Sequence, residues 1–85
     1  MAEEVEIGHV THYFGKIGVA AIELTGDLKV GDTIKIKGHT SDLTEQIESM
    51  QIDRKPVDHA GVGQQIGINV KEHVRPGDKV FLLKP

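Results

Sequence analysis

Residues 28–36 read LKVGDTIKI, and a near-copy, VRPGDKVFLL, returns at residues 74–83. Each places apolar and basic residues ahead of Gly-Asp and then runs into alternating or continuous apolar residues. Glycine tolerates positive φ, where other side chains clash. An aspartate beside it accepts hydrogen bonds from neighbouring backbone N–H groups. Gly31-Asp32 and Gly77-Asp78 are therefore read as tight turns that feed strands. Pro76 sits just ahead of Gly77, where its fixed φ and missing N–H are tolerated. A third glycine turn, in HAGVGQQIGI at 59–68, precedes another apolar run. Three related turns, each launching a strand, predict repeated corners of one closed sheet.

The runs between the turns have period two. In Thr33–Lys37 (TIKIK), Ile34 and Ile36 share one face while Lys35 and Lys37 share the other, the signature of a half-buried strand. Val19–Leu24 (VAAIEL) puts Ala20, Ile22 and Leu24 together, and Gln65–Val70 (QIGINV) does the same with Ile66, Ile68 and Val70. Lys79–Leu83 (KVFLL) is a further strand. The first run, VEIGHVTHYF, changes phase between Ile7 and Val10. The run LTEQIESMQID changes phase too, with Leu43 and Ile47 on one face and Met50 and Ile52 on the other. That switch predicts one strand carrying a β-bulge near Glu48–Ser49. A helix competes, because Leu43, Ile47 and Met50 also fall at helical spacing. Short strands separated by glycine turns predict an all-β fold, a small closed antiparallel barrel of six to seven strands.

The 85 residues make one domain, with residues 1–6 read as a flexible acidic tail. Net charge is −3, the contribution of Glu3, Glu4 and Glu6, and the remainder is balanced. Such a balance disfavours general, charge-driven nucleic-acid binding. No cysteine is present to form a disulfide or a thiolate metal site. No apolar run is long enough for a membrane span, and the acidic N-terminus lacks the order of a signal peptide, so a cytoplasmic protein is expected.

GKIGVAAIEL, LKVGDTIKIKG, IESMQIDRKPVD, GQQIGINV and VRPGDKVF, in that order, resemble the second domain of elongation factor Tu and other translation GTPases. The resemblance covers nearly the whole chain from about residue 8. It is closer to small stand-alone elongation-factor-like proteins and to the barrel appended to collagenase-like peptidases, with VTHYFGKIGVAAIEL the most specific stretch. It implies a binding module for RNA or for a ribosome- or tRNA-associated protein, or one that docks to a collagenase-like peptidase or an RNA-modifying enzyme. Three departures stand out. There is no GxxxxGK[ST], so no GTP is expected on this chain. Gln51 and Gln64 stand where the translation factor has acidic residues in its tRNA-end pocket. The loop at Phe14–Gly18 is shorter. Arg54 and Lys55 match a basic pair of that family.

The candidate nucleic-acid contacts are Lys16, Lys35, Lys37, Arg54 and Lys55, with Tyr13 as a stacking aromatic. Of the neighbours Tyr13 and Phe14, one is expected in the core and the other outside. Outward lysines also simply keep a strand soluble. His9 and His12 form H-x-x-H, which on a regular strand faces two ways and needs a bulge to converge on a metal. His39, His59 and His73 fall in predicted loops. Ser41 and Ser49 have no base and orienting acid at a recognisable spacing, and Asp32 and Asp78 are read as turn formers. The expectation is a chain that is not an enzyme and needs no cofactor or metal. For protein docking, an exposed apolar residue such as Ile17 carries the contact.

Overall fold

Along the first strand, the residues packed toward the core are Val5, Ile7, Val10 and Tyr13, a spacing of two, three and three. Two irregularities produce it. The pairing of β1 (Glu3–Phe14) with β10 (Lys79–Lys84) shifts between Glu6 and Gly8, and its pairing with β2 (Val19–Leu24) shifts between Val10 and His12. Each bulge inserts one residue and reverses the facing of everything after it. The computed structural model describes residues 3–39 and 42–84, with the side chain of Lys84 left aside.

The remaining strands are β3 (Leu28–Lys29), β4 (Thr33–Lys37), β5 (Asp42–Gln46), β6 (Met50–Ile52), β7 (Lys55–Val57), β8 (His59–Ala60) and β9 (Gln65–Asn69). Eight form one antiparallel sheet in the order β5-β4-β10-β1-β2-β9-β6-β7, and β3 pairs with β8 in a small ribbon. The inward faces of β2, β4, β9 and β10 carry Ile22, Leu24, Ile34, Ile36, Ile66, Ile68 and Val80, all but excluded from solvent. Burying each such side chain contributes about 1.5–3 kcal/mol. Leu43 and Ile47, from the β5 end, and Met50, from the β6 end, join the same core. The sheet therefore curls round on itself. The backbone N–H of Lys71, just beyond β9, donates to the carboxylate of Glu45 on β5. Among the described residues no ladder joins β5 to β7 or to β9, so the expected closed barrel of six to seven strands is instead a curled, open sheet. At its β7 edge, Pro56 presents no N–H to a further strand.

The three glycine turns are one structure used three times. In Lys29–Asp32 the N–H of Asp32 donates to the Lys29 carbonyl (3.1 Å), and Asp32 Oδ2 accepts from the Lys29 N–H (3.1 Å). In Arg75–Asp78 the equivalent distances are 3.1 and 3.0 Å. In Gly61–Gln64 they are 3.1 and 2.7 Å, with Gln64 Oε1 in the aspartate's role. The third residue of each turn is Gly31, Gly77 or Gly63, with φ of 98°, 95° and 86°. That sign is what a type II turn demands. Each of these glycines donates its N–H to a residue in or just after a strand, Ile47, Val10 or Leu24. That residue's own N–H donates back to the carbonyl of the turn's last residue, all at 2.7–2.9 Å. A corner is thus locked locally by a side chain and non-locally by a pair of backbone bonds.

Two other expectations are corrected by these contacts. The phase switch at 47–49 is no bulge within a strand and no helix. Ile47 is captured by the Gly31-Asp32 corner, so β5 ends at Gln46 and the chain crosses to pair β6 with β9 and β7. Residues 3–6 are no tail: they pair with β10, Glu3 opposite Lys84 and Val5 opposite Leu82, because Val5 and Ile7 are drawn into the core.

The corners differ in burial, which sets a graded prediction. Asp78 is the one buried polar or charged residue among those described, at 6% exposure. Asp78→Ala leaves the Arg75 N–H without its acceptor and should cost about 1–3 kcal/mol. Asp78→Asn, which keeps an acceptor oxygen, should cost less. Asp32→Ala, at a half-buried site, and Gln64→Ala, at an exposed one, should follow in that order. Urea denaturation of the four variants reads the ranking directly.

Candidate docking surface

The outer face of β1, β2 and β9 carries a patch of small side chains. Ala21 of β2 lies directly opposite Gly67 of β9, and Thr11 of β1 stands beside them. The result is a trough of about 660 Å³ with a floor near backbone level. Phe14 and Ile17 form one wall, 46% and 69% exposed. The His12 ring stacks on Phe14 with centroids 4.8 Å apart. Gln51, Asp53 and Arg54, from the β6–β7 hairpin, form the opposite wall. Polar groups inside are already ordered: Gln65 Nε2 donates to Thr11 Oγ1 (2.8 Å), and that hydroxyl donates to the Ala21 carbonyl (3.3 Å).

The hairpin that carries Arg54 is tight. Ile52 pairs with Lys55, leaving Asp53 and Arg54 as its two-residue loop. Both adopt positive φ, 51° and 66°. A type I′ turn requires this of both residues, and glycine is the usual occupant of the second. Arginine there is strained. Arg54 makes no ion pair among the described residues.

The candidate cations do not gather in one place. Arg54 and Lys55 share the hairpin, and Lys16 lies exposed in the β1–β2 turn next to Ile17. Lys35 and Lys37 project from β4, five steps from β6 in the sheet order. Their charges are engaged. Lys37 Nζ is 3.2 Å from Glu4 and 5.5 Å from the Phe81 ring centroid, and Lys35 Nζ lies 3.9 Å from Glu4 and 3.8 Å from Asp42. Tyr13 faces inward against the core and stacks on His73 at 4.4 Å, so the exposed aromatic of the pair is Phe14. Gln64 is a corner former, whereas Gln51 lines the trough.

The histidines are dispersed. His9 lies 3.8 Å from Glu23, and His59 Nδ1 lies 2.9 Å from Asp58. Hydrogen bonding to His59 and its charge hold the Asp58 carboxyl below its usual range. No cluster of three or more metal-ligating side chains occurs among the described residues. Ser41 lies outside them, and Ser49 borders a small groove between the end of β5 and residues 69–71. No helix among the described residues is long and apolar enough to cross a membrane. The floor of the trough escaped the sequence reading. Its signal is the small residues Ala21 and Gly67 at outward positions of two strands, where polar side chains are usual.

At the other end of β1 lies a second apolar concavity, lined by Leu28, Ala60, Leu82 and Leu83 with Asp27 and His59 at its rim. Glu4 pairs with Leu83 there.

No family model matches the chain. Over 82 residues, 95% of its length, it is 46% identical to an uncharacterized protease of Methanocaldococcus jannaschii. Over 81 residues, 93% of its length, it is 37% identical to a collagenase of Porphyromonas gingivalis. The chain spans only 20% of the length of each of these relatives. Its fold is similar to crystal structures of the C-terminal domain of a Geobacillus thermoleovorans protein described as a U32 peptidase. One has a TM-score of 0.85 at 22% identity, covering 89% of this chain and 96% of that one. Another has 0.85 at 21%, covering 91% and 90%. These similarities lie with the collagenase-like side of the expected resemblance, not with the translation factor.

Proposed function

We propose that this chain is a non-catalytic accessory domain of a collagenase-like peptidase. The observation that carries this reading is the 46% identity over 95% of the chain to one fifth of a protease. The other four fifths of such a relative are where a catalytic unit would reside. The chemistry of the chain agrees. Asp32 and Asp78 are committed to corners, and His9, His12, His59 and His73 each have a separate neighbour, which supports binding over bond cleavage.

In the Geobacillus protein this fold is the C-terminal domain, so another part of that protein precedes it. By that analogy an enzyme unit approaches at the start of β1, beside Leu82 and Leu83. From Glu3 to His12 the strand runs about 30 Å, which leaves the trough at the far end. The apolar concavity of Leu28, Ala60, Leu82 and Leu83 is then the docking face. When the chain is mixed with the Porphyromonas collagenase lacking its matching fifth, a one-to-one complex is expected in size-exclusion chromatography with light scattering. Leu83→Asp should abolish it and Ile17→Asp should leave it intact. Absence of any complex with the unmutated chain would count against the reading.

An RNA or translation partner has less support. The lysines best placed for phosphate contact, Lys35 and Lys37, already face carboxylates.

A further inference from the structure

We propose that the trough between Phe14, Ile17 and Arg54 grips an extended polypeptide by an apolar side chain next to a carboxylate, with Arg54 selecting the carboxylate. This deepens the accessory-domain reading by assigning the partner of its free end, yet it rests on a different surface. The floor is the first observation. Where Ala21 faces Gly67 the floor is low, flanked by Val19 and Gln65, so a passing main chain can approach the strands closely at that point. Ile17 and Phe14 offer exposed apolar surface beside it. Gln51 and Gln65 add amides able to bond a peptide backbone.

Arg54 is the second observation. It occupies a left-handed position that glycine fills without strain, and it has no anionic partner among the described residues. A guanidinium left unpaired at the rim of an apolar trough is matched by a carboxylate, which it binds in a two-pronged geometry.

Charge distribution is the third. The acidic Glu3, Glu4 and Glu6 lie at the opposite end of β1, while Lys16, Arg54 and Lys55 outnumber Asp53 and Glu23 around the trough. The long-range field at this end thus favours an acidic segment. A nucleic acid fits less well, because Arg54 is the single cation that lines the trough, enough for one carboxylate but not for a run of phosphates.

The test uses the isotopically labelled chain alone, so its result is independent of docking to any peptidase. Two synthetic peptides, GSLELSG and GSLKLSG with blocked ends, are titrated while amide shifts are followed. GSLELSG should move the amides of residues 11–18, 51–55 and 65–67 and bind about fivefold tighter than GSLKLSG, the scale of a partly exposed charge pair. Arg54→Glu should reverse that order. Arg54→Gly should erase the preference and raise the melting temperature by a few degrees (about 2–5 °C), since glycine relieves the turn. Equal binding of the two peptides, no shifts at millimolar peptide, or shifts confined to other faces would overturn the proposal. So would a lower melting temperature for Arg54→Gly, or stronger shifts of the same amides by hexauridylate.

Discussion

Gly8→Ala is expected to lower stability by about 3 kcal/mol, a large effect for adding one methyl group. Gly8 sits at the first bulge of β1, paired with Val80 on one side and Leu24 on the other. A Cβ there would lie 2.5 Å from the Glu23 carbonyl oxygen and 3.1 Å from Ile22 Cγ2. Neither can yield cheaply. The Glu23 carbonyl belongs to the penultimate residue of β2, which is laddered there to both β1 and β9, and Ile22 is wholly buried. Relief requires moving a central strand, and with it the bulge that sets the facing of every later residue in β1. A domain of this size loses about 4–8 °C of melting temperature per kcal/mol, so a fall well beyond 10 °C is expected in calorimetry. An unchanged melting temperature would mean that the β1–β2 ladder yields at this point.

Ile22→Ala should be at least as damaging, and its contrast with Ile17→Ala separates core from surface. Ile22 is 0% exposed among neighbours from several strands, and truncation there costs about 2–5 kcal/mol from lost burial and the cavity left behind. Total stability for a small domain is about 5–10 kcal/mol, so this variant should be partly unfolded at 37 °C. Ile17 is 69% exposed, and its truncation should shift stability by less than about 0.5 kcal/mol while weakening whatever the trough holds. Guanidinium unfolding of both variants, followed by circular dichroism, makes the comparison. Equal losses would remove Ile17 from the binding surface and return it to the fold.

The corners were the most legible part of the chain. Gly31-Asp32 and Gly77-Asp78 carry their geometry in two adjacent residues, and half of the bonds that lock them, the turn bond and the side-chain bond, are local. The alternation in β2, β4 and β9 was equally clear, because one buried face leaves a period of two. What failed to show was parity. Each bulge reverses the facing of the strand beyond it, so assigning Tyr13 and Phe14 depends on counting every bulge before them. The second, between Val10 and His12, turns Tyr13 inward. The switch at 47–49 was visible but ambiguous, because a bulge and a change of partner strand disturb the pattern alike. Only the capture of Ile47 by a distant corner decides it. The site was harder still. Lys35 and Lys37 both face Glu4, some thirty residues away, and Lys35 faces Asp42 as well. The trough exists because Ala21 and Gly67 meet across two strands that the sequence separates widely.

Residues 3 and 84 are partners on adjacent antiparallel strands. Such partners lie about 5 Å apart, so the fold is topologically close to a ring. A linker of a few residues could join them, and the ring could be opened instead at the exposed β1–β2 turn without breaking a ladder. Equally, the domain can be spliced into a loop of a host protein at almost no entropic penalty, because the two flanking segments leave side by side. A graft of this kind is constrained by geometry at one point only, where residues 3 and 84 meet.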